Sequence, residues 1–321
     1  MKRQATLRGA SCLFVAVTAL RHGEARQARA TETVTPNIPG VVAGGTKVQL
    51  VKDGLEGTDG PIGLPDGRLI FWESGAKRIN TIDRDGNIST FLDNVNGSNS
   101  LAFDAKGRLL SVQRLPAPAK IVVIFPTGSE TVLADNFEGK AFGRPNDLVA
   151  DSRGGVYFTD SGARGEQRNT TLPPAVYYIS PEGRTIRIAD GLLEPNGIQL
   201  SLDGRVLYVN ESHSEYMVAF DVQPDGTARN RRNFARYETS GVNRAETDGL
   251  AVDSEGRIYS AGPVGIEVFS TRGEYLGTIP VSKRPQNLAF AGPGKRTLYI
   301  AGQGAIFKVQ MLTQGPTGRA R

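Results

Sequence analysis

Cysteine and histidine are nearly missing from this 321-residue chain: Cys12 is alone, and His22 and His213 are the only imidazoles. One cysteine allows no internal disulfide and no CxxC zinc or redox pair. Two histidines leave no basis for a His dyad or a multi-histidine metal site. There is no G-x-S-x-G elbow and no G-x-x-x-x-G-K-[ST] loop, so the common serine-hydrolase and nucleotide-hydrolase readings fall. Charged residues make up only 22%, whereas there are 39 glycines and 18 prolines. That balance favours many short elements joined by tight turns over long helices. The 39% hydrophobic content, on this length, supports one large domain or two ordinary ones, each with a real core.

The net charge of +5 is local. Residues 1–30 carry six Lys or Arg against Glu24 alone, so the remaining body is neutral. A neutral body offers no footprint for a phosphate backbone, and nucleic-acid binding is set aside. The same basic start precedes an uncharged run, Ala10 to Leu20, and a small-residue Ala28-Arg29-Ala30 site, the layout of a secretory signal. The run is too short to span a bilayer. The expectation is a periplasmic or secreted protein, cytoplasmic if the segment is not a signal, although Arg21 to Arg26 is more charged than a good signal would be.

A repeat fills the rest. Six segments, anchored at Pro61, Leu101, Leu148, Ile198, Leu250 and Leu288, recur 38 to 52 residues apart, each with a glycine six residues after its anchor. Each reads as a strand, a polar turn ending in that glycine, and a returning strand such as Arg205 to Val209. A third strand follows in every copy (78–83, 120–125, 175–180, 216–221, 265–270, 305–310), and a fourth in the first five, for example 88–92. The sixth copy ends after its third strand, while Lys47 to Lys52 is an orphan strand before the first; pairing the two closes a ring. The fold class is therefore all-β, a six-bladed β-propeller of four-stranded antiparallel blades closed by an N-terminal strand. An open solenoid would leave the orphan unexplained and two edges bare. The divisions are a signal segment 1–30, a linker 31–46, the propeller 47–310 and a tail 311–321.

Two residues before each anchor stand Asp59, Asn99, Asn146, Asn196, Asp248 and Gln286, every one a carboxylate or carboxamide. At the start of a channel-lining strand these six carbonyl-type oxygens suit a hard cation, with two Asp balancing one divalent charge. Ca²⁺ is favoured, with Zn²⁺, Mn²⁺ or Mg²⁺ left open. The bland reading is that Asn and Asp serve their own turns there.

Arg144-Pro145-Asn146-Asp147, Phe158-Thr159-Asp160, Pro195-Asn196-Gly197 and Thr247-Asp248-Gly249-Leu250 together resemble the SMP-30/gluconolactonase/LRE-like family over about residues 47–310. The resemblance implies a divalent cation in the channel and hydrolysis of small lactones, sugar lactones among them. It assigns metal binding to Asn146 and Asn196, and both metal binding and catalysis, as general base or nucleophile, to Asp248. Its fourth ligand is the glutamate of a Glu-Gly-Pro motif. Here Glu56 and Asp59 compete, and Asp59-Gly60-Pro61 keeps the register of the repeat, leaving Glu56 as the alternative. Arg144 falls where the family contacts substrate, and Asn99 is a substrate or supporting contact. Rival readings are a non-catalytic propeller with a structural metal and a phosphotriesterase-like hydrolase. His213 is expected in an exposed loop, and Phe71 and Trp72 between blades. Nothing in the sequence speaks to oligomeric state.

Overall fold

A computed structural model of the chain describes residues 30–95, 97–238 and 246–318. The expected signal segment, 1–29 of it, lies outside the described residues. Five four-stranded sheets and one five-stranded sheet follow one another, each antiparallel and each ordered as a meander. The first, innermost strands are Thr58–Gly63, Ser98–Phe103, Pro145–Ala150, Pro195–Leu200, Leu250–Val252 and Asn287–Ala291. The expected third strands are all present, and the orphan Lys47–Lys52 is a strand with the expected bounds. It pairs antiparallel with Ala305–Gln310, Leu50 opposite Phe307, and so joins the N-terminal segment to the last blade. No α-helix occurs among the described residues, and no helix there is long and apolar enough to cross a membrane.

Successive residues on a strand face opposite sides of its sheet, so each blade offers apolar side chains to both neighbours. Six hydrophobic clusters result, one between each pair of adjacent blades. Val149, Tyr157 and Tyr178 of the third blade, for example, pack with Ile198, Leu207 and Phe220 of the fourth. Phe71 and Trp72, adjacent on one strand, belong to different clusters, sixth-to-first and first-to-second, and both are buried. The fourth strand of the fourth blade, Ala228–Arg236, is polar and largely exposed.

The 31–46 segment, expected as a linker, is part of the fold. Thr33 pairs with Val48 and adds a fifth strand to the last blade, while Ile38, Val41 and Val42 are buried between the fifth and sixth blades. Much of the 311–321 segment is tied down as well: Leu312 N donates to Val41 O at 2.9 Å and Gly315 N to Lys295 O at 2.9 Å. Short apolar runs such as Ile38 to Val42 have no period from which burial could be read.

Candidate metal centre in the channel

The first strands do not begin regularly. Their pairing with the second strands slips between Asp59 and Ile62, Ser98 and Leu101, Pro145 and Leu148, and Pro195 and Ile198. A bulge of this kind re-aims side chains, and in these blades it lies at Asp59, Asn99, Asn146 and Asn196. Neighbouring strands crowd one another there. Gly60 sits at φ +52°, and a Cβ on it would meet Asn99 O at 3.0 Å; a Cβ on Gly249 would drive into the Asn287 amide. The glycine after Asp59 and after Asp248 is therefore a packing requirement. The sixth blade has no such slip. Gln286, expected in the ring of oxygens, instead accepts Gln303 N–H on its Oε1 at 2.8 Å. The residue beside it, Asn287, reaches across to Asp59 Oδ1 with its Nδ2, 3.2 Å away.

The asparagine amides are held by a device repeated around the channel. Asn146 Nδ2 donates to Ser161 Oγ at 3.1 Å, and Asn196 Nδ2 to Ser212 Oγ at 3.2 Å. Each serine donates its own proton to the backbone carbonyl just before the next blade's ring residue: Ser161 to Pro195 O at 2.7 Å, Ser212 to Thr247 O at 2.7 Å. Arg114 does the same for the second blade, with Nε 2.7 Å from Pro145 O. With their NH₂ groups drawn away, the amides leave their carbonyl oxygens for the channel. Asn146 Oδ1 accepts from Asn99 Nδ2 at 3.0 Å, and Asn196 Oδ1 is buried without a hydrogen-bond partner among the described residues.

Asp59 and Asp248 complete the acceptor set. Burial pushes the Asp59 carboxyl up to about 6 against the Gly60 N–H that favours its anion, and the charge of Asp147 adds to the rise. Burial, then the Asp59 carboxylate, raise Asp248 well above the usual range, with Arg284 opposing. Arg114, also within reach of these charges, is drawn down to about 10 by burial and by Arg144. Like charges crowded in a low-dielectric channel account for both carboxyl shifts. Glu56, the alternative to Asp59, is exposed, and its side chain lies against Gly75 of the hairpin turn.

No three His, Cys, Asp or Glu side chains among the described residues group closely enough to hold an ion by themselves. The chemistry present is a mixed set, two carboxylates and two amide oxygens. The unpartnered Asn196 Oδ1 and the crowded carboxylates are what such a set looks like without its counter-charge, so these residues fit a hard divalent cation. A larger cavity, about 880 Å³, opens at the far ends of the same strands. Its turn carboxylates Asp104 and Asp151 are matched by Arg108 and Arg153.

Arg144 stands at the mouth on the ring side. Its backbone N–H and those of Gly143 and Gly162 all bind the Asp160 carboxylate, at 2.6 to 2.9 Å, which fixes the turn ahead of Asn146. Its guanidinium pairs with Glu194, which also pairs with Arg164 at 2.9 Å and with His213 at 2.8 Å. His213 is thus engaged beside the site. Arg114, Arg284, Glu194 and the two serines were not singled out in the sequence. Arg114 occupies the position that Ser74 and Ser161 hold in their copies of the repeat, and that break in the pattern was the available signal.

A family model described as the SMP-30/gluconolactonase/LRE-like region matches residues 57–303. The chain is 27% identical to a gluconolactonase of Zymomonas mobilis over 308 residues, 88% of this chain and 86% of that one. A solved gluconolactonase of Xanthomonas campestris superposes with a TM-score of 0.75 at 26% identity, over 88% of this chain and 98% of that one. Regucalcin of Agrobacterium tumefaciens, described as a calcium-binding protein, has a TM-score of 0.66 at 16% identity over 84% and 96%, a likeness of fold.

Proposed function

The chain belongs to the SMP-30/gluconolactonase/LRE-like family, and from that membership we propose that it is a lactonase, opening small sugar lactones at the ring of oxygens in its channel. Relatives named gluconolactonase at 26 and 27% identity, matching nearly the whole chain, support the reaction class. The observation that carries the site is the pair of asparagine amides tied back to Ser161 and Ser212, with Asn196 Oδ1 left unpartnered beside Asp59 and Asp248. A divalent cation held by Asp59, Asn146, Asn196 and Asp248, with Ca²⁺ the first candidate, would polarise the lactone carbonyl as a Lewis acid.

The chain's own groups do the rest. Asp248 sits at the ring, placed to take the proton from the attacking water. As the acyl C–O bond breaks, that proton passes to the departing ring oxygen, which leaves as a hydroxyl, and the acyl carbon becomes a carboxylic acid that ionises, releasing the water's second proton to solvent. Arg144, braced by Glu194, and Asn99, bonded to Asn146, orient the substrate at the mouth. We also assign the basic and apolar N-terminal segment to export, which N-terminal sequencing of the periplasmic fraction would test.

The function is tested by proton release from a panel of aldonolactones after chelation and re-addition of Ca²⁺, Mn²⁺ or Zn²⁺. Metal-restored turnover that Asp248→Ala abolishes supports the reading. No turnover with any metal, or turnover unchanged in Asp248→Ala, overturns it.

A further inference from the structure

Beside the channel mouth lies a separate cavity of about 290 Å³ between the 161–174 loop and the segment before the fourth blade. Arg144, Arg164 and Arg168 line it, and Glu194 is its one carboxylate among the described residues. Leu172 and Pro174 give it an apolar floor. One carboxylate thus serves two guanidinium groups and His213, and the charge is unbalanced toward positive.

Two donors are not fully used. Among the described residues, Arg144 Nε is buried with no hydrogen-bond partner and Arg168 has no carboxylate partner; the Arg168 Nε donates to Ala163 O at 3.0 Å. Glu194 fixes the forks of Arg144 and Arg164 in advance, so an incoming anion would meet oriented guanidinium groups. Arg144 links the cavity to the ring, lying two residues ahead of Asn146 on the turn held by Asp160. Planar forks of this kind match carboxylate and phosphate oxygens two at a time.

We propose that this cavity receives an anionic substituent of the lactone, a carboxylate or phosphate at the end of the sugar chain away from the ring carbonyl. The preferred substrates are then acid-bearing lactones, and Arg164 and Arg168 are specificity-determining residues. The inference rests on the lactonase reading only for the identity of the group being opened; anion capture stands on the cavity itself.

The test has two arms. In the first, kcat/KM of the metal-loaded protein is compared for glucono-1,5-lactone, the lactone of the matching six-carbon diacid, and 6-phosphogluconolactone. One of the two charged lactones is expected to exceed the neutral one by about tenfold or more, the ratio of one charge-assisted contact. Arg168→Ala and Arg164→Ala should lower that charged-to-neutral ratio, chiefly through KM. Both side chains are exposed, so the variants should fold. Which charged lactone wins separates carboxylate from phosphate. In the second arm, calorimetric titration of chelated protein with gluconate, glucarate and 6-phosphogluconate asks for binding without turnover. The second charged group should tighten binding, and Arg168→Ala should remove the gain. Turnover of the neutral lactone with no charged preference and no such gain overturns the anion site and spares the lactonase. Anion binding weakened by Arg168→Ala, with no lactone opened, overturns the lactonase and supports the site.

Discussion

Asn196 Nδ2 lies 3.2 Å from Ser212 Oγ, and that hydroxyl in turn lies 2.7 Å from Thr247 O, the carbonyl that precedes Asp248. One serine therefore holds both the Asn196 amide in the fourth blade and the backbone that leads into Asp248 in the fifth. Ser212→Ala frees the amide to rotate and removes a donor from Thr247 O. Outer partners of this kind usually cost about 10–100-fold in metal affinity or activity when lost. The expected outcome is a calorimetric Ca²⁺ affinity weakened within that range, with an unchanged unfolding midpoint in the presence of chelator to within about 1 kcal/mol. Unaltered affinity would show that the serine does not orient the ligand.

The first-blade ligand can be separated from its rival by paired substitutions. Asp59 is charge-coupled to Asp147 and Asp248 in the channel, whereas Glu56 is exposed beside the Gly75 turn. Asp59→Asn removes one of two carboxylates from the donor set and should weaken the cation by about 100-fold or more, since charge count governs affinity for hard cations. Glu56→Gln should change it by less than about twofold. The reverse pattern in titrations of the two variants would move the site to Glu56.

The repeat was legible because each blade reuses one short device, a strand, a turn closed by glycine at a fixed offset, and an alternating return. The closing role of Lys47–Lys52 followed from a missing fourth strand in the last copy. What the spacing could not carry was aim. Gln286 keeps the position of the ring residues, yet its amide turns to Gln303. The Ser161, Ser212 and Arg114 contacts cross from blade to blade, so no local pattern announces them. Glu194, Arg144, Arg164 and His213 come from four separated stretches that meet only when the third and fourth blades close on one another. The burial of Ile38, Val41 and Val42 is likewise tertiary, since those residues follow no strand or helix period.

Tyr177 gives a stability prediction independent of the site. Its ring stacks on Phe158 at 5.2 Å and meets Phe142 edge-on at 5.3 Å, but its hydroxyl is buried with no hydrogen-bond partner among the described residues. An unsatisfied buried hydroxyl carries a desolvation cost that no contact offsets. Tyr177→Phe keeps the packing and removes that cost, so urea denaturation should show a protein as stable as the parent or more stable by about 1 kcal/mol. A loss of more than about 1 kcal/mol would mean the hydroxyl has a bonding role.

The last prediction concerns acid. Asp53 Oδ1 lies 2.5 Å from Lys283 Nζ, and Oδ2 accepts Ala30 N–H at 3.0 Å, joining the start of the described chain to the segment between the fifth and sixth blades. The Lys283 hydrogen bond is the main cause that brings the Asp53 carboxyl from 3.8 down to about 2. A folded value below the unfolded one means stabilisation that is present above the unfolded value and lost as pH falls through the folded one, here between about pH 4 and pH 2. Part of the shift is screened, because Asp53 keeps contact with water. Lys283 is only 7% exposed, and without Asp53 its remaining contact is Gln303 O at 3.4 Å. Asp53→Asn should therefore destabilise the fold by about 1 kcal/mol at pH 7. The gap between parent and variant should close as urea unfolding is repeated at pH 4, 3 and 2. A gap that stays constant across that series would mean the Asp53 charge is not what holds this junction.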